Sequence, residues 1–182
     1  GYAQAQSKTI TLTATNNRGW NAYSSVISNT VGGKLTVNGG TIEHLGGTDM
    51  AYAIDNLTNT GAQNAETVIN GGTIKSTYRA VRQFLNSTTA QNILTVNGGT
   101  IEGTNKSIWS QDPSANANTG KLVVEEGAEL YGDVYLFVTA GSTAWPVEAY
   151  IPETTLMNGS EVLSANVPAG YAVALVDGVY TI

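Results

Sequence analysis

The residues of this chain best suited to binding chemistry are an acid, a cation and an aromatic at equal spacing. Asp55, Arg82 and Trp109 follow one another at equal intervals along the chain. In a fold that repeats with this interval, their side chains would lie in one column on a strand face. A sugar ring can stack on an indole while its hydroxyl groups bond to a carboxylate and a guanidinium. We therefore predict a ligand site at this column, with Asp49 of the neighbouring loop as a fourth member.

A structural interpretation of the same residues stays open. Trp109 would then pack on Arg82 through a cation–π contact, and the column would stabilise the fold rather than bind a ligand.

Acid catalysis finds little support in the sequence. A glycosidase needs two carboxyl groups about 5–9.5 Å apart in different environments, and the chain contains neither Asp-Asp nor Asp-x-Asp. Asp55 with Asp49 is the one combination that could approach such a pair. Outward positions on successive repeats instead alternate in sign, as Glu43, Lys75 and Glu102. This alternation favours cross-strand charge pairs of about 0.2–1 kcal/mol each, and we expect no catalytic residues.

Metal ligands are also sparse. His44 is the single histidine and there is no cysteine, so the nitrogen and thiolate ligands of a zinc site are missing. We expect His44 to lie on the surface. Calcium would have to use Asp49, Asp55 or Asp112 with backbone carbonyls, but no calcium-loop motif is present. The sequence predicts no metal and no cofactor.

These residues owe their spacing to an internal repeat. An apolar strand followed by Asn-Gly-Gly-Thr-Ile occurs at 35–42, 67–74 and 94–101, with a degenerate copy at 122–127. A second apolar landmark recurs with nearly the same spacing, at Val26, Ile54, Val81 and Ile108. The common period of about 30 residues is typical of repeat proteins, and it predicts a solenoid in which each repeat forms one coil.

Each coil is predicted to contain short strands separated by a sharp corner. Apolar and polar residues alternate on both sides of Asn-Gly-Gly, which is strand periodicity, and the glycines permit the positive φ that a corner needs. The corner residues Asn38, Asn70 and Asn97 should stack as a ladder of amide hydrogen bonds. Stacked coils would place four rows in the core: Leu35, Thr67, Leu94 and Leu122; Val37, Ile69, Val96 and Val124; Ile42, Ile74 and Ile101; and Val26, Ile54, Val81 and Ile108.

With these rows and corners, the sequence resembles the right-handed parallel β-helix of the pectin-lyase-like superfamily. More narrowly, it resembles the Asn-Gly-Gly-Thr-Ile repeats of bacterial cell-surface and adhesin-type proteins. The resemblance covers residues 7 to 138. It implies an all-β fold, a single-stranded right-handed parallel β-helix of about four to five coils. Lyases and hydrolases of this superfamily carry catalytic and calcium-binding carboxylates on neighbouring coils, a pattern from which the alternating charges depart.

The repeats end near residue 133, which sets the predicted organisation. We expect residues 1–138 to form an N-terminal strand and the β-helix repeats, and residues 139–182 to form a capping segment of the same structural domain. A cap is expected because an open solenoid end exposes unpaired backbone. Asp177-Gly178 lies between two apolar runs and predicts a β-hairpin. One insertion of about five residues falls between Ile42 and Ile54, beside Asp55.

Composition limits the expected partners. Of 182 residues 21 are glycine, 12% are charged, and the net charge is −6. The eight lysines and arginines form no basic stripe, so nucleic acid is not an expected partner. No run is long enough to span a membrane, so membrane insertion is not expected. The composition is typical of a secreted, turn-rich β protein, and we expect an extracellular or cell-surface location within a larger polypeptide.

Together these observations favour a non-catalytic surface or adhesin-type module, acting as a structural spacer or as a weak binding surface for cell-surface or host glycans. Two alternatives stay open. A phage tail-type β-helix would recognise host polysaccharide, often as a homotrimer, and a polysaccharide lyase or hydrolase fragment would cleave it. The sequence does not decide between a monomer and a homotrimer.

Overall fold

The computed structural model of this chain describes residues 11–14, 24–30, 32–46, 51–59, 63–87, 89–112, 120–138 and 147–182. These residues form strands, with one 3₁₀ turn at Glu153–Thr155. In chain order the strands are β1 (Thr11–Ala14), β2 (Ser24–Asn29), β3 (Lys34–Val37), β4 (Thr41–His44), β5 (Ala51–Asn59), β6 (Ala65–Ile69), β7 (Thr73–Ser76), β8 (Arg79–Asn86), β9 (Asn92–Val96), β10 (Gly99–Asp112), β11 (Gly120–Val124), β12 (Ala128–Val138), β13 (Val147–Pro152), β14 (Leu156–Met157), β15 (Val162–Ala165), β16 (Ala174–Val176) and β17 (Val179–Thr181). Among the described residues, no helix has the length and apolar character needed to cross a membrane.

The strands stack into a parallel β-solenoid of about four turns, which confirms the predicted fold class. Three faces can be defined by their strands. Face 1 holds β3, β6, β9, β11 and β13; face 2 holds β1, β4 and β7; and face 3 holds β2, β5 and β8. The first part of β10 pairs with β7 and its second part with β8, so this strand runs around the corner from face 2 to face 3. β12 stacks on β10 along both faces.

The core is formed by the predicted inward rows. In face 1, Leu94 pairs with Thr67 and Leu122, and in face 2, Ile74 pairs with Ile42 and Ile101. Each fully buried aliphatic side chain of this kind contributes about 1.5–3 kcal/mol. The sequence repeat thus does correspond to one turn of the solenoid.

The first landmark of face 3 lies one residue later than predicted. Ile27, not Val26, pairs with Ile54, and Ser28 therefore pairs with Asp55. Val26 and Ile27 are adjacent β-branched residues that both pack against the core. A shift of one residue exchanges the two faces of a strand. Because both residues are apolar, the hydrophobic pattern alone did not show which of them occupies the landmark position.

The second glycine of each corner has the positive φ that the sequence predicted. Gly72 has φ 93°, and a Cβ atom there would lie 2.7 Å from the carbonyl oxygen of Gly40. Gly99 repeats this arrangement one coil further, with φ 90° and 2.6 Å to the oxygen of Gly72. By contrast, a Cβ at Gly39 would meet nothing within 4 Å. The stacking therefore requires glycine at the second corner position. At the first position, a Cβ atom has open space at Gly39 but would lie only 3.3 Å and 3.2 Å from a carbonyl oxygen at Gly71 and Gly98.

The parallel stack extends past the predicted boundary at residue 138. β13 pairs in parallel with β11, and β14 and β15 pair in parallel with β12. The pairing becomes antiparallel only at β17, which pairs with β13 and with β16. Asp177 and Gly178 have φ 50° and 79°, the conformation of a tight two-residue hairpin turn. The predicted hairpin is confirmed, whereas residues 147–165 continue the coil pattern without its sequence motif.

Candidate functional site

Three of the four predicted ligand residues lie in one column on face 3. Asp55 pairs with Arg82, and Arg82 pairs with Trp109, on successive strands. Tyr135 continues the column on the next strand. Asp49, the fourth predicted member, lies outside the described residues.

The acid and the cation of this column bind each other. Arg82 Nε donates to Asp55 Oδ1 at 2.8 Å, and Arg82 Nη2 donates to Asp55 Oδ2 at 2.7 Å. Their side chains are only 2% and 4% exposed. The guanidinium carbon lies 4.7 Å from the ring centroid of Tyr52 and 4.6 Å from that of Phe84. Two parallel hydrogen bonds and two aromatic contacts thus fix both side chains within the protein.

Tyr52 belongs to this buried cluster and stays protonated. Burial raises the pKa of its phenol, and the nearby Arg82 and Arg79 cations only partly oppose this effect. Arg79 Nη1 donates to the phenol oxygen at 3.4 Å. Tyr52 is therefore a neutral hydrogen-bonding partner of Arg79 at ordinary pH.

Trp109 makes its cation–π contact with a different arginine from the one expected. Arg79 Cζ lies 3.5 Å from the indole centroid, whereas the sequence predicted Arg82 as the partner. On its other side the indole lies 4.7 Å from the ring of Tyr135, and its Nε1 donates to Gln111 Oε1 at 3.2 Å. The column is thus divided into a buried ion pair and a separate aromatic stack covered by Arg79.

A cavity of about 450 Å³ lies in front of the ion pair. Asp55 and Arg82 line it together with the apolar walls of Leu57 and Phe84. Trp109 is not among its lining residues. The structure therefore does not gather the acid, the cation and the indole around one cavity.

His44 is buried, and the prediction of a surface histidine was wrong. Its relative exposure is 0%. The Gly46 N–H donates to Nδ1 at 3.0 Å, and Nε2 lies 2.9 Å from Ser24 Oγ. Burial lowers the pKa of His44 below its usual value of 6.5. The neutral ring is thus buried next to the insertion, where it forms hydrogen bonds with Ser24 and Gly46.

The described residues contain no group of three or more His, Asp or Glu side chains that could hold a metal ion. Of the three aspartates considered for calcium, Asp55 is bound to Arg82. The side chain of Asp112, like the whole of Asp49, lies outside what the structure describes.

The predicted corner asparagines form a continuous hydrogen-bonded row. Asn70 Nδ2 donates to Asn38 Oδ1 at 2.8 Å, and Asn97 Nδ2 donates to Asn70 Oδ1 at 2.7 Å. The three side chains are exposed, so the row lies along the outer edge of the corners. The expected charge row is also in register, since Lys75 pairs with both Glu43 and Glu102. Its lysine Nζ lies 3.2 Å from Glu102 Oε1.

A second polar row, which the sequence reasoning missed, lies inside the solenoid. Asn29, Asn56, Gln83 and Ser110 occupy equivalent positions on face 3 and are buried. Asn29 Nδ2 donates to Asn56 Oδ1 at 3.0 Å, and Ser110 Oγ donates to Gln83 Oε1 at 2.9 Å. We call these four residues the internal polar row. Their equal spacing of 27 residues is the sequence signal that locates them.

The internal polar row connects face 3 to face 1. Asn56 Nδ2 donates to the carbonyl oxygen of Ile93 at 2.9 Å, and Gln83 Nε2 donates to that of Lys121 at 2.8 Å. Thr67 Oγ1 donates to Asn56 Oδ1 at 3.0 Å. This bond explains why one predicted apolar row contains a threonine. Because these buried amides form several hydrogen bonds, they hold face 3 rigidly against face 1.

No family model matches this chain, and comparison with curated proteins and with solved structures likewise finds no match.

Proposed function

We propose that this chain is a non-catalytic module of an extracellular surface or adhesin-type protein, in which it acts as a rigid structural spacer. The observation that carries the proposal is that charged side chains form ion pairs between adjacent coils. In the described part of the chain there are four ion pairs, and each joins one coil to the next at paired positions: Lys34–Glu66, Lys75–Glu102, Arg82–Asp55 and Lys106–Asp133. Eight charged side chains, including Asp55 and Arg82 of the predicted ligand column, are thus engaged in holding coils together.

Two further features support a spacer. The corner asparagines and the internal polar row bond from coil to coil, outside and inside the solenoid. Stability in such a fold is the sum of repeat and nearest-neighbour terms, so contacts between coils set its stiffness. The resemblance to Asn-Gly-Gly-Thr-Ile repeats of bacterial surface proteins supports the extracellular location.

A weak glycan-binding surface is the second candidate. The observation in its favour is the cavity of about 450 Å³ that Asp55 and Arg82 line. Phe84 supplies an apolar wall there. On the spacer proposal, Trp109→Ala and Asp55→Asn lower stability and there is no glycan retention to lose. Retention of a glycan that is abolished by Asp55→Asn in a folded variant would favour the second candidate.

Rigidity can be measured directly because the chain has no cysteine. Thr36 and Tyr150 are exposed, and they lie at equivalent positions on face 1, joined through Val68, Thr95 and Val123. Four strand spacings put their Cα atoms about 19 Å apart. Spin labels on Thr36→Cys/Tyr150→Cys should give one narrow distance distribution by pulsed electron paramagnetic resonance.

A broad or bimodal distribution in the folded protein would contradict the spacer proposal. Sedimentation of the same sample determines the oligomeric state. A stable trimer would favour the phage tail-type alternative instead.

A further inference from the structure

A second concave surface lies at the corner between faces 2 and 3, away from the column of Asp55. It is a shallow groove of about 460 Å³. Its floor is formed by three glycines from successive coils, Gly103, Gly132 and Gly159. All its lining residues belong to the described part of the chain.

At two of the three floor positions, Gly103 and Gly132, backbone packing leaves no room for a side chain. Gly132 has φ 100°, and a Cβ atom there would overlap the carbonyl oxygen of Gly103. A Cβ atom at Gly103 would overlap the carbonyl oxygen of Lys106. The chain therefore needs glycine at these positions to turn the corner, and the groove is preformed as a consequence.

The walls carry one aromatic ring and two carboxylates. Tyr131 stands next to Glu102 in the outward row of face 2, and Asp133, at the start of face 3, also lines the groove. Asp133 Oδ2 accepts from Lys106 Nζ at 3.0 Å, and its Oδ1 accepts from the Glu161 N–H at 3.1 Å. Thr104 and Asn158 add exposed polar side chains at the rim.

The charges around the groove are balanced. Glu102 is paired with Lys75, and Asp133 is paired with Lys106. The lining residues include two carboxylates and no lysine or arginine, and the nearby Lys75 and Lys106 are each paired with one of these acids. The groove therefore offers a polyanion no unpaired cation. A neutral polyhydroxyl ligand would instead find carboxylate and amide acceptors with fixed positions beside an aromatic surface.

From this combination we infer that the groove is a binding site for a neutral saccharide. A pyranose ring stacks on Tyr131, and its hydroxyl groups donate to Glu102 and Asp133. This site goes beyond the spacer function, and it uses none of the residues of the Asp55 column. Its failure would leave the spacer proposal standing, since the rigidity measurement does not depend on it.

The test uses the whole chain with three hexasaccharides: cellohexaose and hexa-N-acetylchitohexaose as neutral probes, and hexagalacturonate as an anionic probe. In amide-proton NMR titrations, at least one neutral probe should shift the resonances of Gly103, Gly132 and Gly159. The anionic probe should not. Tyr131→Ala should reduce the association constant about tenfold, whereas Tyr131→Phe should retain it because the ring remains.

The matched control is Tyr150→Ala, which removes an exposed tyrosine from face 1. It should bind the neutral probe as the unmodified protein does. If Tyr131→Ala fails to fold, Glu102→Gln serves instead, because it preserves size while removing the carboxylate, and it should weaken binding severalfold. No shift with either neutral probe, tighter binding of hexagalacturonate, or unchanged affinity in a folded Tyr131→Ala variant would each overturn the assignment.

Discussion

Replacing Asp55 by asparagine should destabilise this protein far more than the loss of an ordinary surface charge. The substitution preserves the size of the side chain but leaves the Arg82 guanidinium without its counterion. Arg82 is 2% exposed and contacts the rings of Tyr52 and Phe84. Water can approach the pair from the cavity in front of it, but because Arg82 is so little exposed, water replaces the lost carboxylate only in part.

The expected size of the effect follows from that burial. Removing one partner of a buried ion pair typically costs about 3–5 kcal/mol, because an uncompensated charge remains inside the protein. Both Asp55→Asn and Arg82→Gln should fall in this range. The double substitution removes both charges, so it should cost about as much as either single one and give a coupling energy of about 3–5 kcal/mol.

Equilibrium urea unfolding of the four proteins measures these energies from midpoints and slopes. The matched control is the pair Lys34–Glu66, which also joins adjacent coils but has side chains 80% and 34% exposed. Lys34→Gln should cost less than about 1 kcal/mol, and added salt should shrink this cost while leaving that of Asp55→Asn nearly unchanged. Additive single effects below about 1 kcal/mol at Asp55 and Arg82 would refute the reasoning, since they would mean that solvent screens the pair.

Three further predictions concern the corners, the histidine and the amide rows. Gly72→Ala should lower the free energy of unfolding by about 1–3 kcal/mol because of its positive φ. Gly39→Ala should change it by less than about 0.5 kcal/mol. Equal effects of the two substitutions in urea unfolding would contradict the requirement for glycine at the second corner position. Because burial lowers the pKa of His44, the unfolded chain binds its proton first as pH falls through 6.5. Stability should therefore drop between about pH 7 and pH 5, and His44→Gln should lose this part of the dependence; an unchanged pH profile of urea midpoints would exclude the effect. Asn56→Leu should lower the free energy of unfolding by about 3 kcal/mol because it deprives several buried groups of hydrogen-bond partners. Asn70→Leu in the exposed asparagine row should lower it by about 1 kcal/mol or less. Thermal unfolding that shows the reverse order would contradict the assignment of the internal and exposed rows.

The solenoid could be predicted because its determinants are local and repeated. A sharp corner needs a residue that accepts positive φ, and the alternation of apolar residues beside it fixes which side faces the core. Three copies of this pattern at nearly equal spacing therefore specified the stacking of Ile42, Ile74 and Ile101. The same repeat placed Asp55, Arg82 and Trp109 in one column.

Prediction was weaker where the repeat loses its motif. Val26 and Ile27 fit the core equally well by type, so the predicted register of β2 was wrong by one position. Residues 147–165 lack Asn-Gly-Gly but continue the coils, because backbone pairing with β11 and β12 does not require the motif.

The sequence by itself determined the coil length, the corners and which residues point away from the core. Only the tertiary structure decided which outward residues are accessible. Arg82 and Trp109 both point outward by strand alternation. Yet Arg82 is buried against the rings of Tyr52 and Phe84, and the indole is covered by Arg79 instead. The physical reason is that alternation is set by the geometry of one strand, whereas burial and pairing depend on side chains from several coils that the chain brings together only when it stacks.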